Sequence, residues 1–215
     1  IEQFQQAGDT LSDITIRVGK LSAALDAGAK SAKQNAAPTD GAAQYSIEQT
    51  ADGKKYVRAD RQVIQGNDPD RWGRQVTNYI NQTIRNGRDV ALTTDNGDIL
   101  LLTRDTAGKA GFRNRVRQND GTNAPMTDEQ YRTKLNAETH IDELARVSSP
   151  GKKTVPDKGG KHGRMASDSW NYRKAYFEDF DGQYYQLQIS VAYGPDGRTV
   201  YNVNNIKKRS GAPFN

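Results

Sequence analysis

The sequence predicts an α+β domain in which helices pack on a small antiparallel β-sheet, behind an N-terminal helix. Three observations lead there. Tyr185, Leu187, Ile189 and Val191 alternate with Tyr184, Gln186, Gln188 and Ser190, the period of a strand with one face in a core and one in water. Asp181-Gly182 and Gly194-Pro195-Asp196-Gly197 punctuate this stretch, so strands over about 171–180, 183–192 and 199–206 form an antiparallel meander. Thr127 and Gln130 stand three apart ahead of Ala137, Ile141, Leu144 and Val147. That is a capping box opening a helix over roughly 127–147, which can cover the apolar face of the meander.

The upstream elements follow in order. Residues 9–34 carry Leu11, Ile14, Val18, Leu21 and Leu25 at spacings of 3, 4, 3 and 4, an a/d seam. Ala36-Ala37-Pro38-Thr39-Asp40-Gly41 reads as a linker. Two strands over 45–50 and 55–59 flank Asp52-Gly53. Asp68 and Pro69 begin a helix that Gly87 ends, with Trp72, Val76, Tyr79, Ile80 and Ile84 on its apolar face. A hairpin over 89–94 and 99–103 turns at Asn96-Gly97. The segment 104–126 lacks apolar periodicity and carries Arg104, Lys109, Arg113, Arg115 and Arg117, so it is expected as a basic loop. The polar, Gly-rich segment 148–169 is expected as a second loop. Three parts result: 1–44, a helical segment and linker from a larger parent polypeptide N-terminal to Ile1; 45–126, a ββα-hairpin subdomain; and 127–215, the helix plus meander.

Composition narrows the chemistry. There is no cysteine, which removes disulfides, thiolate catalysis, zinc knuckles and iron–sulfur clusters. No apolar run approaches the ~20 residues of a membrane span. The whole +5 excess of charge lies in 150–215, where 11 Lys+Arg face 6 Asp+Glu, a field suited to a polyanion partner. Gly159-Gly160-Lys161 lacks the spacing of a nucleotide-binding loop, and neither HExxH nor GxSxG occurs. No cofactor and no metal site are expected.

Two histidines, His140 and His162, are the only side chains that ordinarily titrate near neutrality. His140 belongs beside the apolar face of the third helix, whereas His162 stands among Gly160, Lys161, Gly163 and Arg164. Trp170, Tyr172, Arg173, Tyr201, Lys207, Lys208 and Arg209 follow. This inventory suits RNA cleavage: the 2′-OH is the nucleophile, and the protein supplies base, acid and fixed positive charge. Aromatic rings beside cations suit unstacked bases.

His140-Ile141-Asp142-Glu143-Leu144, Lys161-His162-Gly163-Arg164, Trp170-Asn171-Tyr172-Arg173, Phe177-Glu178-Asp179-Phe180-Asp181-Gly182-Gln183-Tyr184-Tyr185 and Val200-Tyr201-Asn202 together resemble C-terminal domains of polymorphic toxins. They also resemble large polyvalent proteins of phages and mobile elements. These domains are assigned to the barnase–EndoU–colicin–RelE group of ribonucleases. The resemblance implies that group's layout of helices before a small antiparallel sheet, and metal-independent endoribonuclease activity, often on tRNA. It implies a bacterial or phage origin, delivery into a target-cell cytoplasm and a neutralising immunity protein, expected to be acidic. By that pattern His162 or His140 is base or acid, with Arg164 and Tyr201 as helpers. Lys161, Trp170, Tyr172, Arg173, Lys207, Lys208 and Arg209 are then the expected RNA contacts. The other reading is a non-catalytic module that binds nucleic acid or protein through the same basic face.

Overall fold

Short-range chemistry forms most of the elements. The computed structural model describes residues 46–117, 122–152, 154–156, 169–194 and 197–209, so the expected helix over 9–34 lies outside the described residues. β1 (Ile47–Gln49) and β2 (Lys55–Arg58) pair antiparallel. In their turn Gly53 takes φ +82°, a left-handed conformation that clashes with a Cβ but not with glycine. Asp68 caps α1 (Pro69–Tyr79) by accepting from the Asp70 amide. The helix continues as a π-helical turn over Ile80–Ile84. It ends at Asn86 and Gly87, both at positive φ. β3 (Val90–Thr93) and β4 (Ile99–Leu102) pair across Asn96-Gly97 as expected.

The segment 104–126 is not the expected loop. Arg104–Ala110 forms α2, and β5 (Arg115–Arg117) pairs with β6 (Asn123–Pro125) in a separate ribbon. α2 buries only Thr106, Ala107 and Ala110. The Thr106 hydroxyl accepts from the Thr103 amide and donates to the Val200 carbonyl. With no large apolar residue in it, the helix leaves no periodic trace in the sequence.

The helix expected over 127–147 is two helices, α3 (Asp128–Glu138) and α4 (Ile141–Val147). Thr127 and Gln130 do form the capping box. The break lies at His140, with φ −116° and ψ 23°. There the Thr139 hydroxyl donates to the Asn136 carbonyl at 2.6 Å, and His140 Nδ1 approaches the same oxygen at 2.9 Å. The His140 amide turns to Ala137 instead. Side chains have taken the carbonyl that a continuing helix would use.

β7 (Thr154–Pro156), β8 (Ser169–Glu178), β9 (Tyr184–Gly194) and β10 (Gly197–Lys208) complete the chain. β8, β9 and β10 are the expected antiparallel meander. The sheet around them is larger than a meander and mixed. Its order is β1-β2-β8-β9-β10-β4-β3, with β7 also paired to β8. The β1–β2 hairpin docks parallel on β8 (Val57 opposite Phe177), and the β3–β4 hairpin docks parallel on β10 (Leu101 opposite Thr199). Residues 45–126 therefore supply the edges of the same sheet, and residues 45–215 group as one unit.

One face of this curled sheet is covered. Tyr185, Leu187, Ile189 and Val191 join Leu135, Ile141 and Leu144 from α3 and α4, and Trp72 and Val76 from α1 with Ile80 from its π-helical turn, in a single core. No described helix is long and apolar enough to cross a membrane. The helix layer is tight where α1 meets the end of α2. A Cβ on Gly73 would collide with the Gly111 carbonyl and the Tyr131 hydroxyl, whereas one on Gly108 would meet nothing within 4 Å. Gly73→Ala should therefore cost about 1–3 kcal/mol in urea unfolding, the scale of overpacking. Gly108→Ala should instead gain about 0.5–1 kcal/mol as a helix-interior replacement.

Candidate functional site

The uncovered face of the meander is an ordered lattice of side chains. Tyr172 lies in register with Ser190 and, through it, Asn202; Lys174 with Gln188 and Asn205; Tyr176 with Gln186 and Lys207. Successive rows are two residues apart, about 7 Å along the strands. β10 departs from simple alternation. Its register shifts between Val200 and Asn202 and again between Val203 and Asn205. Val200, Val203 and Ile206 thus reach the core at intervals of three. Each β-bulge leaves two residues for the open face, Tyr201 with Asn202 and Asn204 with Asn205. Bulges re-aim side chains in this way beside functional sites.

An open groove of about 580 Å³ occupies one end of this face. Its floor is Trp170, Tyr172, Ser190, Tyr201, Asn202 and Asn204, and its rim includes Val155, Pro156 and Arg115. The Trp170 and Tyr201 rings meet edge to face, 5.2 Å between centroids and 82° between planes. Lys109 Nζ extends the aromatic strip, 5.5 Å from the Tyr201 centroid and 5.0 Å from that of Phe112, which is 58% exposed. Asn204 Nδ2 donates to Ser190 Oγ at 2.7 Å, while its Oδ1 has no partner. A second concavity of about 420 Å³ continues the groove beyond Tyr172. Among the described residues no carboxylate lines either one.

The bulged strand is held from behind. Glu138 Oε1 accepts from the Val203 amide, between the two bulges, at 2.7 Å. It also lies 3.2 Å from Lys134 Nζ, which donates to the Ala110 carbonyl. Both side chains are fully buried. Desolvation raises the Glu138 carboxyl and lowers the Lys134 ammonium, each opposed by the charge of the other.

The expected site residues separate into three sets. Trp170, Tyr172 and Tyr201 come together in the groove, and Lys207 joins its continuation. Lys161, His162 and Arg164 lie outside the described residues. The third set is Arg173, Lys208, Arg209 and His140. Arg173 alternates with Tyr172 and Lys174, so its guanidinium faces the helix layer. There it is fully buried, 2.7 Å from Asp98, 2.9 Å from Asn96 Oδ1 and 2.8 Å from both Ser148 oxygens. It cannot meet RNA on the open face. Lys208 falls in register with Tyr185, on the opposite face of the strand from Lys207, and is exposed. Arg209 binds the side chain of Gln186, which lines the second concavity, and its carbonyl accepts from Gln183.

His140 is likewise on the covered side, its ring 5.8 Å from that of Phe177. Nδ1 donates to the Asn136 carbonyl, and Nε2 accepts from the Asp60 amide at 3.2 Å, with Asp60 Oδ1 2.9 Å away. Sequence reasoning also missed Asn202, Asn204, Asn205 and Arg115 as groove residues, and Lys109 beside the Tyr201 ring. For the asparagines a signal existed: Val200, Val203 and Ile206 recur every third position, where an unbulged strand would use every second. Among the described residues no group of three or more His, Cys, Asp or Glu side chains is placed to hold a metal ion. Comparison of the chain with protein-family models, curated proteins and solved structures finds no match.

Two measurements check this account. Glu138→Gln should destabilise the domain by about 3–5 kcal/mol, because a buried Lys134 loses its counter-charge. Adding Lys134→Met should recover much of the loss in a double-mutant cycle of urea unfolding. The second measurement concerns pH. Burial lowers the His140 imidazole below its ordinary value, outweighing the Asn136 carbonyl and Asp60. The unfolded imidazole takes up a proton as pH falls through about 6.5, which the folded one resists. Stability present above that pH is therefore lost below it. His140→Gln should flatten the fall in melting temperature between about pH 7.5 and 5.5. Glu143 and Asp179, raised by burial, slope the other way in both proteins and cancel in the comparison.

Proposed function

We propose that the open groove holds an unpaired RNA strand, tRNA among its expected substrates, and that the domain cleaves it through attack of the strand's own 2′-OH. The observation that carries this reading is the meeting of Trp170, Tyr172 and Tyr201 with Asn202 and Asn204 in a groove lined by Arg115 and, among the described residues, by no carboxylate. Aromatic faces stack bases of any sequence, amides bond their edges, and cations hold the backbone.

Cleavage needs a proton acceptor and a donor near the scissile phosphate. His162 is the residue assigned to that role, with Arg164 and Tyr201 stabilising charge on the phosphate. The chain leaves the groove at Pro156 and returns at Ser169, two residues paired across β7 and β8. His162 follows Pro156 by six residues, a tether of about 20 Å at full extension. An acidic immunity protein that covered the same face would exclude the substrate.

One observation favours a second reading, binding without cleavage. Among the described residues no imidazole lines the groove, and His140 is committed to the other side of the sheet.

Incubating the chain with total RNA in EDTA distinguishes the two. Cleavage should leave 2′,3′-cyclic phosphate ends, and His162→Ala should slow it at least ~100-fold, the scale of general acid–base loss. Trp170→Ala should weaken RNA retention. RNA that is retained but never cut, by either the parent chain or His162→Ala, would select the binding module. Failure to retain RNA would overturn both readings.

A further inference from the structure

The second concavity differs chemically from the aromatic groove that it continues. Lys152, Lys174 and Lys207 line it, with the amides of Gln186, Gln188 and Asn205 between them. Of the described lysines outside the pocket, Lys54 pairs with Asp52, Lys55 with Asp95 and Lys134 with Glu138, whereas Lys109 lies against aromatic rings. Among the described residues the three pocket lysines enter no ion pair. Three lysines lining one concavity, with no described carboxylate beside them, give it a positive field that favours an anion.

The convergence is built by the fold. Lys174 comes from β8 and Lys207 from β10, one row apart on the lattice. Lys152 comes from a segment clamped onto the outer edge of β8. Ser149 and Lys174 exchange backbone hydrogen bonds at 2.8 Å. Next to them, the Asn171 side chain accepts from the Gly151 amide at 3.0 Å and donates to its carbonyl at 3.3 Å. A Cβ at Gly151 would collide with the Tyr172 carbonyl. Glycine at 151 thus permits the close approach that brings Lys152 to the pocket.

We propose that this pocket is a phosphodiester subsite, taking a backbone phosphate of the strand whose base stacks in the aromatic groove. The proposal rests on the RNA reading above. Tyr172 lines both concavities, so a base stacked beside it leaves its neighbouring phosphate at the lysines. Ammonium groups flanked by amide donors match the non-bridging oxygens of a phosphodiester and are indifferent to base identity.

Fluorescence anisotropy of the full chain, read as a function of salt, tests it. The probes are a 2′-O-methyl oligouridine, which cannot be cut, and an abasic strand of equal length. Polyglutamate of equal charge is the competitor. The parent chain should bind both strands, the abasic one more weakly. Combined Lys152→Gln, Lys174→Gln and Lys207→Gln should flatten the slope of log K against log salt by about 0.7 for each phosphate that the lysines no longer neutralise. That flattening should be the same for both strands. Trp170→Ala should weaken only the base-bearing strand. Oligouridine binding with an unchanged slope in the triple variant would overturn the subsite and leave the RNA reading standing. No binding of either strand to the parent chain would remove the RNA reading itself. Polyglutamate that displaces the abasic strand at equal concentration, and only when the lysines are present, would make the pocket an acidic-peptide site and overturn the proposal.

Discussion

A carboxylate buried behind the sheet holds the groove in front of it. Two bulges in β10 interrupt the ladder with β9, and the Val203 amide between them would be left unpaired in the core. An unpaired buried amide costs about 1–3 kcal/mol. Glu138 accepts from that amide, Lys134 balances the charge, and Lys134 in turn bonds the Ala110 carbonyl. α2, α3 and β10 are thereby joined at one point. The open face depends on this point, because the bulges place Tyr201 with Asn202, and Asn204 with Asn205, on its side of the strand.

Buried polar contacts also join the two halves of the chain. Arg173, on the meander, reaches Asn96 and Asp98 in the β3–β4 turn. Arg61, just after β2, meets Asp142 at 3.1 Å and Glu143 at 2.7 Å on α4. His140 grips Asp60 from the break between α3 and α4. Such buried charges are weak evidence of net stability, but each is costly to separate from its partner. They specify which edge of the meander each hairpin must occupy. Surface pairs such as Lys54–Asp52 contribute little by comparison.

The outcome is a sheet with two unlike faces. The covered face combines apolar packing with buried ion pairs, and the open face combines rings, amides and lysines that enter no ion pair among the described residues. Cations that belong to the structure, Arg173 above all, lie on the covered side. Those available to a ligand lie on the other. A count of basic residues cannot separate the two kinds, because strand alternation assigns neighbours to opposite faces.

The features legible in the sequence are local ones. Asp68 with Pro69, Thr127 with Gln130, and Asn96-Gly97 each act through bonds spanning a few residues, and alternation along β9 already marks its wet face. α2 is hidden because alanine and threonine pack without a periodic signal, and the break at His140 because it depends on side chains competing for one carbonyl. The parallel docking of both hairpins and the support of the bulges by Glu138 arise only in the tertiary structure. So do the meeting of Lys152, Lys174 and Lys207 and the burial of Arg173 and His140. Their partners lie some 20 to 120 residues away, as Gly151 and Asn171 or Val57 and Phe177 do. The free energy of such contacts is realised only when distant segments pack together, so no short window of sequence contains it.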